Sequence, residues 1–348
     1  MIYKRMRGRV FPRALLLLVM LVMLVMAAGL FYGWADFERF SRTPLNVPAQ
    51  GDSVDISRGS SFKDIVGELR QRRLTNAAPL YWRLLAEQMR VAARLHAGEY
   101  ALEHGITPRQ LLANMAAGKV LQRKFTIVDG WTFNELRQAL ARAEKLKHES
   151  AGLDDTAIMQ KIGAAGEAPE GRFLPETYAY VKGDSDLDIL RRAHEAMVKT
   201  LAALWPGRDK DLPLATPYDA LILASIIEKE TGRADERAQI AGVFVRRLQD
   251  HMLLQTDPSV IYGMGARYTG KIHKSDLTTD TPYNTYTRPG LPPTPIALPG
   301  KPALEAALHP AAGDALYFVA RGDGHHVFAN TLEEHNRNVD CYQRKHCR

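Results

Sequence analysis

Three short stretches decide the fold: RGSSFKDIV at 58–66, HGITPRQLL at 104–112 and DGWTFNELR at 129–137. Each has a glycine, one residue, a Ser or Thr, two more residues, then Asp, Gln or Glu and an aliphatic. Ser61, Thr107 and Thr132 stand where a helix takes an N-cap hydroxyl, and Asp64, Gln110 and Glu135 complete the capping box three residues on. An alternating stretch precedes each copy: SVDIS at 53–57, GEYALE at 98–103 and RKFTIV at 123–128. The pattern predicts a strand that runs through a glycine turn into a capped helix. Two such units, with the helical stretch APLYWRLLAEQM at 78–89 between them, make a small α+β module of roughly 65 residues. The polar residues of the repeat are therefore read as caps rather than ligand contacts.

Upstream, residues 14–34 read ALLLLVMLVMLVMAAGLFYGW without a charge. As a helix rising about 1.5 Å per residue they match one bilayer crossing. Lys4, Arg5, Arg7, Arg9 and Arg13 precede the stretch and Asp36 and Glu38 come after it, which puts the N-terminus in the cytoplasm and the rest outside. The competing reading is a cleaved signal peptide, whose apolar region usually runs only about 7 to 15 residues. Residues 35–50 carry two prolines and no apolar period, and read as a spacer.

The formal charge of +7 suggests nucleic acid until its location is considered. Five cationic residues precede the first acid, and Arg344, Lys345 and Arg348 come after the last. Removing these eight from 46 leaves 38 basic residues against 39 acidic ones. The body of the protein is nearly neutral, so no nucleic-acid partner is expected. Cys341 and Cys347, the two cysteines, lie in the basic tail; a small disulfide loop and two free thiols are both open readings. With 348 residues and 46% hydrophobic content, the chain supports two or three folded domains.

Residues 127–213 are mainly helical by period, interrupted by EAPEGRFLPETYAYVKGDSD at 167–186, which reads as an ordered loop. Two helices come next, PYDALILASIIEKET at 217–231 and DERAQIAGVFVRRLQ at 235–249, the second with Ile240, Val243, Phe244 and Leu248 in one stripe. From Gln255 to Gly300 the chain is rich in proline and glycine with little regular period, as functional surfaces often are. ALYFVA, the turn RGDG and HHVFAN predict a β-hairpin, and after it a helix capped by Thr331 with Glu334.

The motifs H-E-x-x-H, G-x-S-x-G, the Walker loop and G-x-G-x-x-G opening a helix are all missing from the sequence. His325 and His326, adjacent on the predicted strand, are expected to point to opposite faces, and neither a metal nor a cofactor is expected. What remains is a carboxylate at the end of an apolar helix. Glu230 comes after Leu223, Ile226 and Ile227 at spacings of seven, four and three, whereas Glu228 sits over Leu221, Ala224 and Ser225. Desolvation on the aliphatic stripe raises the pKa of Glu230 and keeps it protonated near neutral pH, as a general acid requires. The opposing reading is a solvated helix-end residue beside Lys229. Beyond it, Gln255, Thr256, Asp257, Tyr262, Tyr283, Asn284 and Tyr286 offer ring faces with amide and hydroxyl groups, a composition that suits a sugar polymer. A structural loop rich in turns has a similar composition.

ASIIEKET, LQTDPSVIYGMG, YNTYTRPGLPP, AALHPA and YFVARGDGHHVF, together with EGRFLPETY, closely resemble the endolytic murein transglycosylase family, the MltG or YceG-like proteins. The resemblance runs from about Ser53 to Val339. It implies an inner-membrane anchor, a LysM-like module and a catalytic domain whose essential glutamate falls on Glu230. The chain then divides into a cytoplasmic basic tail at 1–13, a transmembrane helix at 14–34, a linker at 35–50, the LysM-like module at 51–119 and the catalytic domain with its C-terminal tail at 120–348. The reaction implied is non-hydrolytic cleavage of the β-1,4 bond between N-acetylmuramic acid and N-acetylglucosamine, leaving 1,6-anhydro ends and ending nascent glycan strands. One carboxyl suffices for this, unlike the paired carboxylates of ordinary glycosidases. Family members often have glycine where this chain has Thr294 and His325. The alternative is a non-catalytic peptidoglycan-binding scaffold that recruits peptidoglycan synthases, the penicillin-binding proteins.

Overall fold

A computed structural model of the chain describes residues 11–344, with side chains from residue 15. The pairing of Cys341 with Cys347 and most of the basic N-terminal tail lie outside the described residues. Two compact units make up the chain, Met1–Gln122 and Arg123–Arg348. Both mix helices with two-stranded sheets, an α+β architecture.

The first unit begins with the long helix α1 (Phe11–Arg42), whose apolar side chains from Leu15 to Trp34 are mostly exposed. It is the one helix among the described residues long and apolar enough to cross a membrane. Then come β1 (Asp52–Ile56), α2 (Phe62–Gln71), α3 (Pro79–Gln88), β2 (Gly98–Leu102) and α4 (Pro108–Ala116). β1 and β2 pair antiparallel, with Asp52 opposite Leu102 and Ile56 opposite Gly98. Alternation turns Val54 and Ile56 inward, where they meet Leu69 of α2, Trp82 and Leu85 of α3, and Leu111 and Met115 of α4. Ser61 and Thr107 cap α2 and α4 in full capping boxes with Asp64 and Gln110. The turn glycines Gly59 and Gly105 have φ of 84° and 90°, a backbone that a side chain would strain.

The second unit holds β3 (Gln122–Thr126), whose first residue precedes the boundary, α5 (Phe133–Leu140), α6 (Asp155–Ile162), β4 (Thr177–Val181) and α7 (Asp186–Leu204). The third repeat behaves like the others: Thr132 and Glu135 form the capping box of α5 after Gly130 at φ 78°. Next are α8 (Pro217–Glu230), α9 (Arg237–Gln249), α10 (Asp257–Met264), α11 (Lys274–Thr278) and α12 (Lys301–Leu308). The hairpin of β5 (Tyr317–Ala320) and β6 (His326–Ala329) and the helix α13 (Leu332–Tyr342), capped by Thr331 with Glu334, complete the chain. α8 is the axis of this unit. Every residue from Ala220 to Ile227 is buried, packed among side chains of α7, α9 and α12. A helix buried all round is core rather than surface, so its last turn is a rigid place to mount a functional group.

Three sequence expectations need correction. Residues 35–50 are not a spacer: α1 continues to Arg42, Phe37 is buried, and the Phe40 ring meets Trp82 at 5.4 Å. Leu45 and Val47 are buried as well, and the backbone N–H groups of Leu45 and Asn46 donate to Ile106 and Leu74. Pro44 and Pro48 lie beyond the end of the helix, yet the chain around them stays packed on the core. The segment 167–186 contains β4, whose residues Tyr178 and Tyr180 turn inward while Thr177 and Ala179 stay exposed. The passage from Gln255 to Gly300 contains α10 and α11. Thr256, Asp257 and Pro258 start α10 with the residue types that favour a helix N-terminus.

Candidate active site

Glu230 is the last residue of α8, and Thr231 at once turns extended with φ −148° and ψ 134°. The residue keeps some solvent exposure, yet burial of its carboxyl raises the pKa to about 7. A hydrogen bond from Thr256 opposes the rise, the Asp257 charge adds to it, and His326 and Arg247 nearby oppose it. At neutral pH the group is therefore poised between donor and acceptor of a proton. Glu228, two residues earlier and on another face of the helix, is also raised by burial, but it is committed elsewhere. It accepts the Gly300 N–H at 3.0 Å at the start of α12 and lies 4.0 Å from Arg237. The helix geometry thus separates the two acids, though by their partners rather than by an aliphatic and a solvated face. Both sides of α8 are buried.

Thr256 occupies the N-cap of α10 but makes no cap bond there; its hydroxyl donates to Glu230 Oε1 at 2.5 Å. Its backbone N–H donates to Thr285 Oγ1 at 3.0 Å, and Gln255 N–H donates to the Thr285 carbonyl at 3.1 Å. Gln255 holds φ at 51°, an uncommon left-handed conformation that turns the chain into α10 and leaves its side chain exposed. Asp257, also exposed, accepts the Tyr286 hydroxyl at 2.6 Å. The loops at 254–259 and 284–287 are thereby laced together beside Glu230. Asn284 is buried: its amide donates to the carbonyls of Asp276, Leu277 and Thr279, and its oxygen accepts Tyr286 N–H. It organises the loop from within, which corrects its expected place as a sugar-facing amide.

The Tyr262 and Tyr283 rings meet edge to face at 4.9 Å. Tyr283 and Thr294 share a hydrogen bond at 2.8 Å, so the Thr294 hydroxyl touches this aromatic pair. Tyr262 donates to Glu170 at 3.1 Å. Glu170 is a second buried acid, raised to about 7 by burial although Phe133 N–H, Tyr262 and Gly171 hydrogen bonds favour its charged form. It sits at the N-terminus of α5, where helix N–H groups attract an anion. The tyrosine links it to α10.

Sequence reasoning missed two features. Arg247 is buried on α9 and donates to the carbonyls of Leu253, Leu254 and Leu316, which fixes the approach to Gln255. Its signal was a charge at a stripe position, three and four residues after Phe244 and Val243. The histidine pair also differs from expectation. His325 and His326 do not diverge; their Nδ1 atoms lie 3.0 and 2.8 Å from the two oxygens of Glu236. β6 starts only at His326, so the alternation rule does not reach His325. Among the described residues no group of three or more His, Cys, Asp or Glu could hold a metal ion.

Known proteins are similar to this chain in sequence and fold. The chain is 29% identical over 341 residues to the endolytic murein transglycosylase of Bacillus subtilis (strain 168), covering 92% of this chain and 91% of that protein. It is 25% identical over 362 residues to the endolytic murein transglycosylase of Streptococcus pneumoniae (strain D39), covering 94% of this chain but only 65% of the relative. A crystal structure of a yceG-like protein from Listeria monocytogenes, 29% identical, matches with a TM-score of 0.53 over 83% of this chain and 99% of that one. The sequence pattern of the YceG-like family itself matches residues 54–341, and the chain belongs to that family.

Proposed function

We propose that this protein is an endolytic lytic transglycosylase anchored in the bacterial inner membrane by α1, with its catalytic unit in the periplasm. The relatives that carry the enzyme's name support the activity. The cationic residues before the apolar stretch, and Asp36 and Glu38 after it, support the topology. The order β1, α2, α3, β2 with antiparallel strands supports reading residues 51–119 as a LysM-like glycan-binding module, and 120–348 as the catalytic domain.

One observation carries the chemistry: the carboxyl of Glu230, raised to about 7 and held by Thr256 at the end of a buried helix. Protonated Glu230 gives its proton to the glycosidic oxygen as the C1–O4 bond of the muramyl residue breaks. The resulting carboxylate takes the proton of the muramyl C6 hydroxyl as O6 closes on C1. Atoms and charge balance, the acid is regenerated and no water enters. Asp257 keeps the first state populated by raising the pKa, and Thr256 stabilises the second by donating to the carboxylate. Exposed Gln255 and Asp257 and half-buried Tyr286 are the sugar contacts of this reading, with Tyr262 and Tyr283 as an aromatic wall. Termination of nascent strands and contact with the synthases that build them belong to the same reading.

Glu230→Gln tests it. General acid–base catalysis contributes about 10²- to 10⁴-fold, so the variant is expected to lose at least that while keeping its circular dichroism spectrum. A folded variant with undiminished cleavage would overturn the assignment.

A further inference from the structure

We infer that the face of α3 carrying Leu80 and Leu84 is a lipid-contacting surface that seats the first unit on the outer leaflet of the bilayer. The inference rests on reading α1 as a membrane span. α1 and the first unit share one core: Tyr81 donates to Asp36 at 2.7 Å, and its ring meets Phe37 at 6.1 Å and Phe40 at 5.7 Å. From there α3 runs down along α1 toward the apolar stretch. Leu84 and Gln88 line, with Gly29, Leu30, Gly33 and Trp34, a groove of about 440 Å³. Gly29 lies five residues before Trp34, roughly 7.5 Å along the axis toward the hydrocarbon. The side of α3 at Leu84 therefore reaches the depth of the headgroup and acyl boundary.

The surface has the chemistry of that depth. Leu80 and Leu84, one turn apart, are 60% and 46% exposed, and Leu30 and Trp34, which line the groove with Leu84, are 74% and 56% exposed. The opposite face of α3, Trp82, Leu85 and Ala86, is buried in the core, so the helix cannot rotate to hide its leucines. Gly29 and Gly33 leave open space where side chains would stand, enough for an acyl chain to lie against α1. Arg83 and Glu87 on the same helix are exposed, a polar pair that suits the headgroup layer, and Trp34 suits the interface. A patch that continues the apolar surface of a span is covered by the same lipid that covers the span.

The test uses the full chain with Cys341→Ser and Cys347→Ser in liposomes of phosphatidylethanolamine and phosphatidylglycerol. A polarity-sensitive fluorophore is attached at Leu84→Cys or at Met20→Cys, the latter inside the apolar stretch. Blue-shifted emission quenched by lipid-borne nitroxides at both positions is expected. Quenching at position 20 with water-like emission at 84 would overturn the seating surface and leave the span intact. Water-like emission at both would overturn the membrane reading and the seating with it.

Discussion

Thr256 Oγ1 donates to Glu230 Oε1, joining the N-cap of α10 to the last residue of α8. The bond favours the ionised carboxylate, and the Asp257 charge disfavours it. Thr256→Val is therefore expected to raise the pKa of Glu230 and move the alkaline limb of the kcat–pH profile upward from about 7. Asp257→Asn is expected to move the same limb downward. Profiles of both variants check the pair of signs, and a shift of both limbs in one direction contradicts the electrostatic account.

Glu230 also sets a stability trend. Its folded pKa of about 7 lies above the ordinary value of 4.5, so the native state binds the proton more tightly than the unfolded chain. The resulting stability is present below pH 4.5 and is lost as pH rises to about 7. At pH well above 7 the wild type carries a cost of about 3 kcal/mol from the shift, or roughly 2 kcal/mol allowing for partial exposure. Glu230→Gln should relieve it and raise the Tm at alkaline pH, with little change at acid pH. Thermal unfolding at the two pH values measures the difference.

The two acids of the ASIIEKET helix should separate cleanly. Glu228→Ala removes the acceptor of Gly300 N–H at the start of α12 and is expected to cost about 1–3 kcal/mol. The folded fraction should keep the wild-type pH profile, since Glu228 has its own partners. Glu228→Gln retains an acceptor and should recover most of the stability. Denaturant titration together with the pH profile distinguishes this from a shared catalytic role.

Asn284→Ala probes the loop. Three carbonyls lose their donor and Tyr286 N–H loses its acceptor, for a cost of roughly 1–3 kcal/mol per unsatisfied group. Hydrogen exchange across residues 276–287 should rise, and Tyr286 should lose its register on Asp257. Unchanged exchange there would mean that the amide does not hold the loop.

The repeat was legible in the sequence because each copy carries its own local physics: an alternating strand, a glycine turn and a capping box at fixed spacing. The position of Glu230 was legible too, since helix periodicity counts outward from Leu223, Ile226 and Ile227. What separates it from Glu228 was not, because the Gly300 N–H comes from 72 residues away. Phe37, Phe40, Leu45 and Val47 were read as a spacer because their period is too short to register; the partners Tyr81, Trp82 and Ile106 lie far along the chain. Asn284 and Thr256 misled for another reason. Their polar atoms suit a sugar as well as they suit a carbonyl or carboxylate, and tertiary contacts decide which is served. The convergence of His325 and His326 on Glu236 likewise depends on where the hairpin docks.

Mass spectrometry of the fragments released from purified peptidoglycan by the full-length protein in detergent tests the central claim most directly. The account predicts muramyl ends lighter by one water than hydrolysis products, formed by wild type and missing with Glu230→Gln. Ordinary reducing ends, or the same anhydro products from the Glu230→Gln variant, would contradict it.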